Sequence, residues 1–414
     1  VIGMKFCHAQ NITLKNMTFK NSKNEHFVEI AGTNKMTITN CTFKNQYISK
    51  SSKSKSYEAV QLDILQKDHI NGYRSQPLAT KNIFVYNCKF KGLVRGIGSH
   101  TAILNRPMTN ISIKKCSFDD MDTAAMQFIG IRKLTIQDNT IKNSPRGIAI
   151  FSEGDQGKTG TYRASTLAKK GKVTTNISDK YKTPTLNMDI VIKNNRITTS
   201  GKDKYSSAQL GAIKIKGDNS TKNFKSGNTI PKGWYYMSGV SIEKNTIKTK
   251  NGYGILTHQV KEIRIKDNSL IFTDKKASSI ENGIRLSDNI GKETQDIIGN
   301  RISGFYYGIQ AITSQINCKI DENAISNAVQ TGIYLSGSQI NRIASNTIED
   351  AGDYGIMMLS NDQNRSLIES ITNNRICRLA KYGIYKKNSD VTLLEENEFE
   401  ECELEDIREI ETEL

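Results

Sequence analysis

Proline is scarce in this chain, with five in 414 residues, and tryptophan occurs once. No run of about 18 apolar residues is present, so no membrane-spanning helix is expected. The seven cysteines include no CxxC pair, and their odd number argues against a closed disulfide framework or a zinc site. Helix-turn-helix, RNA-binding aromatic strand and zinc-finger patterns are all missing, and nucleic acid is not an expected partner. No secretory leader is visible at Val1. The chain opens inside a repeat, so an upstream segment is expected to precede it.

Basic charge is abundant. Lys and Arg number 58 against 42 Asp and Glu, a formal +16. The stretch from Glu395 to Glu413 holds eleven acidic residues and one basic, Arg408. Removing that surplus of ten negative charges leaves +26 on the remainder. A basic body of this size favours an anionic partner, or else a solvated lysine surface. With nucleic acid set aside, an acidic polysaccharide or oligosaccharide is the partner expected.

A short repeat organises the whole length. It begins as KNMTF (15–19), TNCTF (39–43), YNCKF (86–90) and KKCSF (114–118) and continues as QDNTI (137–141) and KNNRI (193–197). Thirteen copies run to EENEF (395–399), and the shortest step, seen five times, is 23 residues. An alternating apolar strand precedes each copy, such as LTIQ or EIRIK. A second element of the form x-G-I-x-x lies between copies, as in RGIAI (146–150), NGIRL (282–286) and YGIMM (354–358). Period-2 strands with turns and no helix-length pattern indicate an all-β chain. A unit of this size cannot bury its apolar face alone and must stack on its neighbours. The spacing therefore predicts a single parallel β-helix of about 13 coils. Its central column reads Met17, Cys41, Cys88 and Cys116, then nine asparagines from Asn139 to Asn397. Inward asparagines in register can bond one another and the turn backbone, with the cysteines as small core fillers.

On these repeats the chain resembles the right-handed parallel β-helix proteins of the pectate-lyase-like superfamily. The resemblance implies a carbohydrate-active protein but leaves the chemistry open, because that fold hosts lyases, hydrolases, epimerases, tailspikes and adhesins. Coils are expected over 1–399, with insertions near 46–57, 65–80, 152–188, 199–238 and 272–281, and an acidic C-terminal cap or tail over 400–414. Four insertions follow the x-G-I strand and should wall that sheet. Trp234 lies in one of them, either to stack on a sugar or to anchor its own loop.

Stacking brings distant segments side by side. The x-G-I strands begin HFVEIAG (26–32), EAVQLDI (58–64), RGIGSH (95–100), AAMQFI (124–129), RGIAIF (146–151) and GAIKIK (211–216). Outward positions then carry Glu29, Gln61, Asp63, His100, Gln127, Lys214 and Lys216, and the first positions His26, Glu58, Arg95 and Arg146. At about 4.8 Å between coils and about 3.4 Å per residue, Glu29 and Asp63 should lie about 8 Å apart, the separation of an inverting glycosidase. Asp63 is the expected acid, Glu29 or Glu58 assists the base, and His100 positions or tunes Asp63. Arg95, Arg146, Lys214 and Lys216 are expected to grip a sugar carboxylate or sulfate, with His26, Gln61, Gln127 and Trp234 also lining the substrate groove. This order is similar to that of polygalacturonase-type hydrolases. Gln61-Leu62-Asp63 matches one motif, Gly98-Ser99-His100 the next, and Lys214-Ile215-Lys216 or Arg146 the basic one. An Asn-Thr-Asp is missing, and no adjacent Asp pair falls within these x-G-I stretches.

Hydrolysis of an acidic glycan is thus the first expectation, without a cofactor. A uronate lyase or epimerase is the nearest rival. It would use His100 or Arg95 as base, with calcium on Glu29, Glu58 and Asp63. A non-catalytic glycan-binding adhesin or tailspike-like rod is the third. All three imply a secreted or cell-surface location of bacterial type.

Overall fold

A computed structural model describes residues 3–52, 57–65, 70, 77–99, 101, 107–152, 187–200, 210–217, 222–223, 229–230, 236–274, 276–361 and 364–411. Among them all regular structure is β-strand, and no helix is long and apolar enough to cross a membrane. Contacts divide the chain into two units, 1–208 with 215–240 and 209–214 with 241–414. The insertions expected near 65–80, 152–188 and 199–238 lie mostly outside the described residues, whereas those near 46–57 and 272–281 are mostly described.

In the first unit a coil consists of three strands, for example Asn34–Thr39, Thr42–Tyr47 and Glu58–Leu65. Each pairs in parallel with the equivalent strand of the next coil, as in Ile38↔Val85, Phe43↔Phe90 and Val60↔Ile97. The turn between the first two strands is one residue in the left-handed region. Asn16, Asn40, Asn87, Lys115, Asp138 and Asn194 all have φ between 53° and 58°. Asn and Asp tolerate that conformation better than other L-residues, which explains their recurrence one position before the column.

The column residue then turns inward. Cys41 N–H meets Cys88 Sγ at 3.4 Å, and Cys88 N–H meets Cys116 Sγ at 3.4 Å. Cys116 N–H donates to Asn139 Oδ1 at 2.9 Å, and Asn139 donates through both N–H and Nδ2 to Asn195 Oδ1 at 3.0 Å. All seven cysteines are free thiols. The core column beside them is aromatic. Phe19, Phe43, Phe90 and Phe118 stack with centroids 4.8, 4.9 and 4.6 Å apart. Burying each such ring contributes about 1.5–3 kcal/mol, so identical coils carry the stability in equal increments.

The second unit repeats the plan with aliphatic residues. Leu270, Ile302, Ile325, Ile348, Ile376 and Phe399 form one inward column. Asn245, Asn268, Asn300, Asn323, Asn346 and Asn374 form the amide column, each at most 1% exposed. The glycine of x-G-I has a steric cause. A Cβ on Gly332 would lie 2.4 Å from Ile348 Cγ2 and 2.8 Å from Gly355 O, so this position accepts no side chain.

The acidic end, expected as a cap or tail, is β-strand as far as it is described. Glu398–Cys402 pairs with Arg375–Leu379, and Glu405–Ile410 pairs with Tyr382–Lys387. Phe399 and Ile407 continue inward columns. The period-2 placement of these apolar residues outweighs the glutamates between them.

Candidate functional site

The x-G-I strands of the first unit bring together most of the expected residues. The register reads Glu29↔Gln61↔Gly98↔Gln127↔Ala149 on one outward column and Ala31↔Asp63 on the next. Glu58↔Arg95↔Ala124↔Arg146 forms the column of first positions. Glu29 and Asp63 are thus one coil and two residues apart. His100 and Trp234 lie outside the described residues.

The face is a network of paired charges. Glu58 is 0% exposed. Its Oε1 accepts from Arg95 Nη1 at 2.5 Å, and its Oε2 lies 3.5 Å from His26 Nδ1. The same ring nitrogen is 2.9 Å from the Glu58 carbonyl oxygen. Gly98 provides the room for this pair. A Cβ there would meet Gln127 O at 2.5 Å, Glu58 Cγ at 3.0 Å and Arg95 Cδ at 3.3 Å. Arg95, expected to hold a sugar anion, donates to a carboxylate of its own chain.

Glu29 lies 3.1 Å from Lys5 Nζ. Asp63 accepts from Gln61 Nε2 at 3.0 Å and from the Ile64 N–H at 2.7 Å. Asp63, Gln61, Glu29 and Gln127 are all under 9% exposed. Arg146, Lys214 and Lys216 are half-buried, and the Lys216 carbonyl accepts from Ser152 N–H at 3.0 Å. Cys7, in register with Ala31, was not among the expected site residues. Burial pushes its thiol pKa up; Lys5 opposes this, while the charges of Glu29 and Asp63 add to it. Among the described residues no three His, Cys, Asp or Glu side chains converge as a metal site.

The equivalent face in the second unit is aromatic. Leu256, Arg285, Gln310, Tyr334, Met357 and Tyr385 follow one another in register. Tyr307 and Tyr334 stack at 4.6 Å, and Tyr354 and Tyr382 at 6.0 Å. His258 Nδ1 lies 3.3 Å from Asp288 Oδ2 on the same sheet's rim. On the other sheet an open groove of about 840 Å³ is lined by Gln315, Asn317, Gln339, Asn341 and Glu369 among others.

Comparison with known proteins gives two family matches. A model described as right handed beta helix region matches residues 3–178. One described as periplasmic copper-binding protein (NosD) matches 270–376 and 331–411. The plasmin and fibronectin-binding protein A of Streptococcus pneumoniae (strain ATCC BAA-255 / R6) is 28% identical over 154 residues, 34% of this chain and 21% of that protein. The crystal structure of PfbA, a surface adhesin of Streptococcus pneumoniae, is similar at 18% identity and a TM-score of 0.43, covering 87% of this chain and 64% of that one. The periplasmic alginate epimerase AlgG is similar at 11% identity and a TM-score of 0.39, covering 94% and 78%. The matched stretch thus spans about a fifth of the curated relative, and the chain under two thirds of the PfbA structure. The parallel ladders and the inward amide column make this a parallel β-helix, and residues 3–178 match the right handed beta helix region.

Proposed function

We propose that this chain binds acidic polysaccharide on the outer face of its x-G-I strands, at a bacterial cell surface or outside the cell, as a binding rod rather than a hydrolase. The observation that carries this reading is the pairing of the carboxylates. Glu58 is closed from solvent between Arg95 and His26, and Glu29 faces Lys5. An inverting hydrolase needs one acid free to give a proton and one base open to water. Residues already neutralised within a rigid network suit recognition better than proton transfer. The basic body favours an acidic glycan. The pneumococcal relative, 28% identical over its matched part, is named for binding and not for turnover.

The test is a panel of polygalacturonate, alginate, a sulfated glycan and a neutral glucan. Binding is read by surface plasmon resonance at low and high salt, and turnover by reducing ends and ultraviolet absorbance. Saturable, salt-weakened binding of acidic members without turnover supports the reading. New reducing ends that vanish in Asp63→Asn would return the chain to the hydrolases. An ultraviolet-absorbing product would assign it to the lyases. Failure to bind any acidic member would sink the proposal.

A further inference from the structure

The strands that lead into the inward column of the first unit carry charge of one sign. They are Gln10–Lys15, Asn34–Thr39, Lys81–Tyr86, Met108–Lys114, Ile131–Gln137 and Ile190–Lys193. Together they hold six lysines, one arginine and no Asp or Glu. The equivalent strands of the second unit hold seven Asp and Glu. The six lysines are Lys15, Lys35, Lys81, Lys114, Lys133 and Lys193, one on each coil. Among the described residues, the ion pairs of the first unit join Lys5 to Glu29 and Glu58 to Arg95 and His26, and none of the six takes part. Asp138 and Asp189 stand at the left-handed turns flanking the last two strands.

The register sorts this outer face into three rows. Thr13↔Thr37↔Phe84↔Ser112↔Thr135 is the middle one. Lys15↔Thr39↔Tyr86↔Lys114↔Gln137↔Lys193 is one margin. The other holds Lys35 and Lys133 with Asn82 and Asn110 between them, all four in the left-handed region. Phe84 and Tyr86 are each 43% exposed and, two residues apart on one strand, share a face. Beside Phe84 lies an open cavity of about 530 Å³, lined by Asn11, Thr13, Lys35, Thr37 and Asn82 among others. A lone exposed ring needs no explanation, but a ring at an open cavity bordered by unpaired lysines marks a binding surface.

An aromatic face for the C–H side of a pyranose, hydroxyls on the floor and cations at both margins match an acidic sugar. Coils rise by about 4.8 Å, and each brings one lysine. A linear polyuronate brings one carboxylate per sugar at a similar step. The lysine ammonium, a compact charge on a flexible stem, suits following such a chain better than clamping one anion. Single-stranded nucleic acid would call for a ring at successive coils, whereas the middle row has one ring among four hydroxyl residues.

We propose that this row is a track for a linear polyuronate lying along the stacked coils, with one sugar seated in the cavity against Phe84. This rests on the reading that the ligand is an acidic glycan, and goes beyond it by placing a contact on a second sheet of the first unit.

The experiment uses the full chain with hexamers of galacturonate and of mannuronate. Lysines are acetylated with and without each hexamer, and every site is read by peptide mass. Lys15, Lys35, Lys114 and Lys133 should be protected several-fold by at least one hexamer, and by a neutral glucan hexamer not at all. Phe84→Ala should bind that uronate hexamer about 10-fold more weakly, the worth of covering one ring. Phe84→Tyr, which keeps the ring, should bind like the parent and guards against a folding defect. Protection of Lys214 and Lys216 without the track lysines overturns the track while the x-G-I reading stands. Protection of the track alone keeps it and removes binding from the x-G-I face, and protection of both sets supports both. Equal protection by a sulfated hexamer or by oligothymidylate overturns the polyuronate assignment, as does Phe84→Ala binding like the parent.

Discussion

Replacing Arg95 by Met should destabilise the first unit by about 3–5 kcal/mol, the cost of stranding one member of a buried ion pair. Arg95 is 4% exposed and Glu58 0%. Among the described residues, Glu58 also approaches His26, with Oε2 3.5 Å from Nδ1. Most of the loss comes from the abandoned carboxylate and little from the attraction itself. The double variant Glu58→Leu/Arg95→Met should therefore recover most of it, because paired charges replaced by apolar groups of similar size are often neutral or up to about 4 kcal/mol more stable. Urea unfolding at pH 7 reads the effect, with hydrogen exchange of peptides spanning 58–65 and 89–98 assigning it to this unit. A single variant costing under about 1 kcal/mol would refute the reasoning, as would a double variant no better than the single.

Asn300→Ala removes bonds to Asn323 Oδ1 at 2.9 Å and Ile265 O at 3.0 Å and strands the Asn268 N–H, so a loss of about 3–5 kcal/mol in urea unfolding is expected. Gly332→Ala forces a methyl group against Ile348 and the Gly355 carbonyl and should lower stability by about 1–3 kcal/mol in the same assay. Burial, with Asp406 adding, pushes the Cys402 thiol up to about 11, so its alkylation rate, followed by peptide mass, should keep rising past pH 10. The folded state favours the neutral thiol; that contribution is complete below the ordinary thiol value and is lost as pH climbs through about 11.

The fold was legible because its signals repeat. One left-handed residue, one inward amide and one bare glycine recur at fixed offsets, and each has a steric or hydrogen-bonding cause that no neighbouring segment can override. The lateral register followed from the same alignment, so Glu29 falls beside Gln61 and Glu58 beside Arg95. What alignment did not supply was side-chain commitment. Opposite charges at one position of adjacent coils imply a pair, and Glu58 and Arg95 carried that signal, but reading the first as assisting a base and the second as a substrate contact obscured it. Lys5 and Cys7 were passed over because they precede the first aligned strand. The glutamates from 400 onward hid the last strand, set by Ile407 in register with Ile384.

The amide column has a sense of direction. From Asn245 to Asn374, every Oδ1 beyond the first accepts from the coil before, and every Nδ2 donates to the coil after. Inverting one member would set oxygen against oxygen on one side and hydrogen against hydrogen on the other. The amides must therefore keep a common orientation, and their dipoles add along the row. The positive pole of that sum points toward the last coil, where Glu395, Glu398 and Glu400 gather, as acidic residues gather at the positive end of an α-helix. A run of uncharged side chains thereby gives this all-strand protein an axial polarity matched by the placement of its acids.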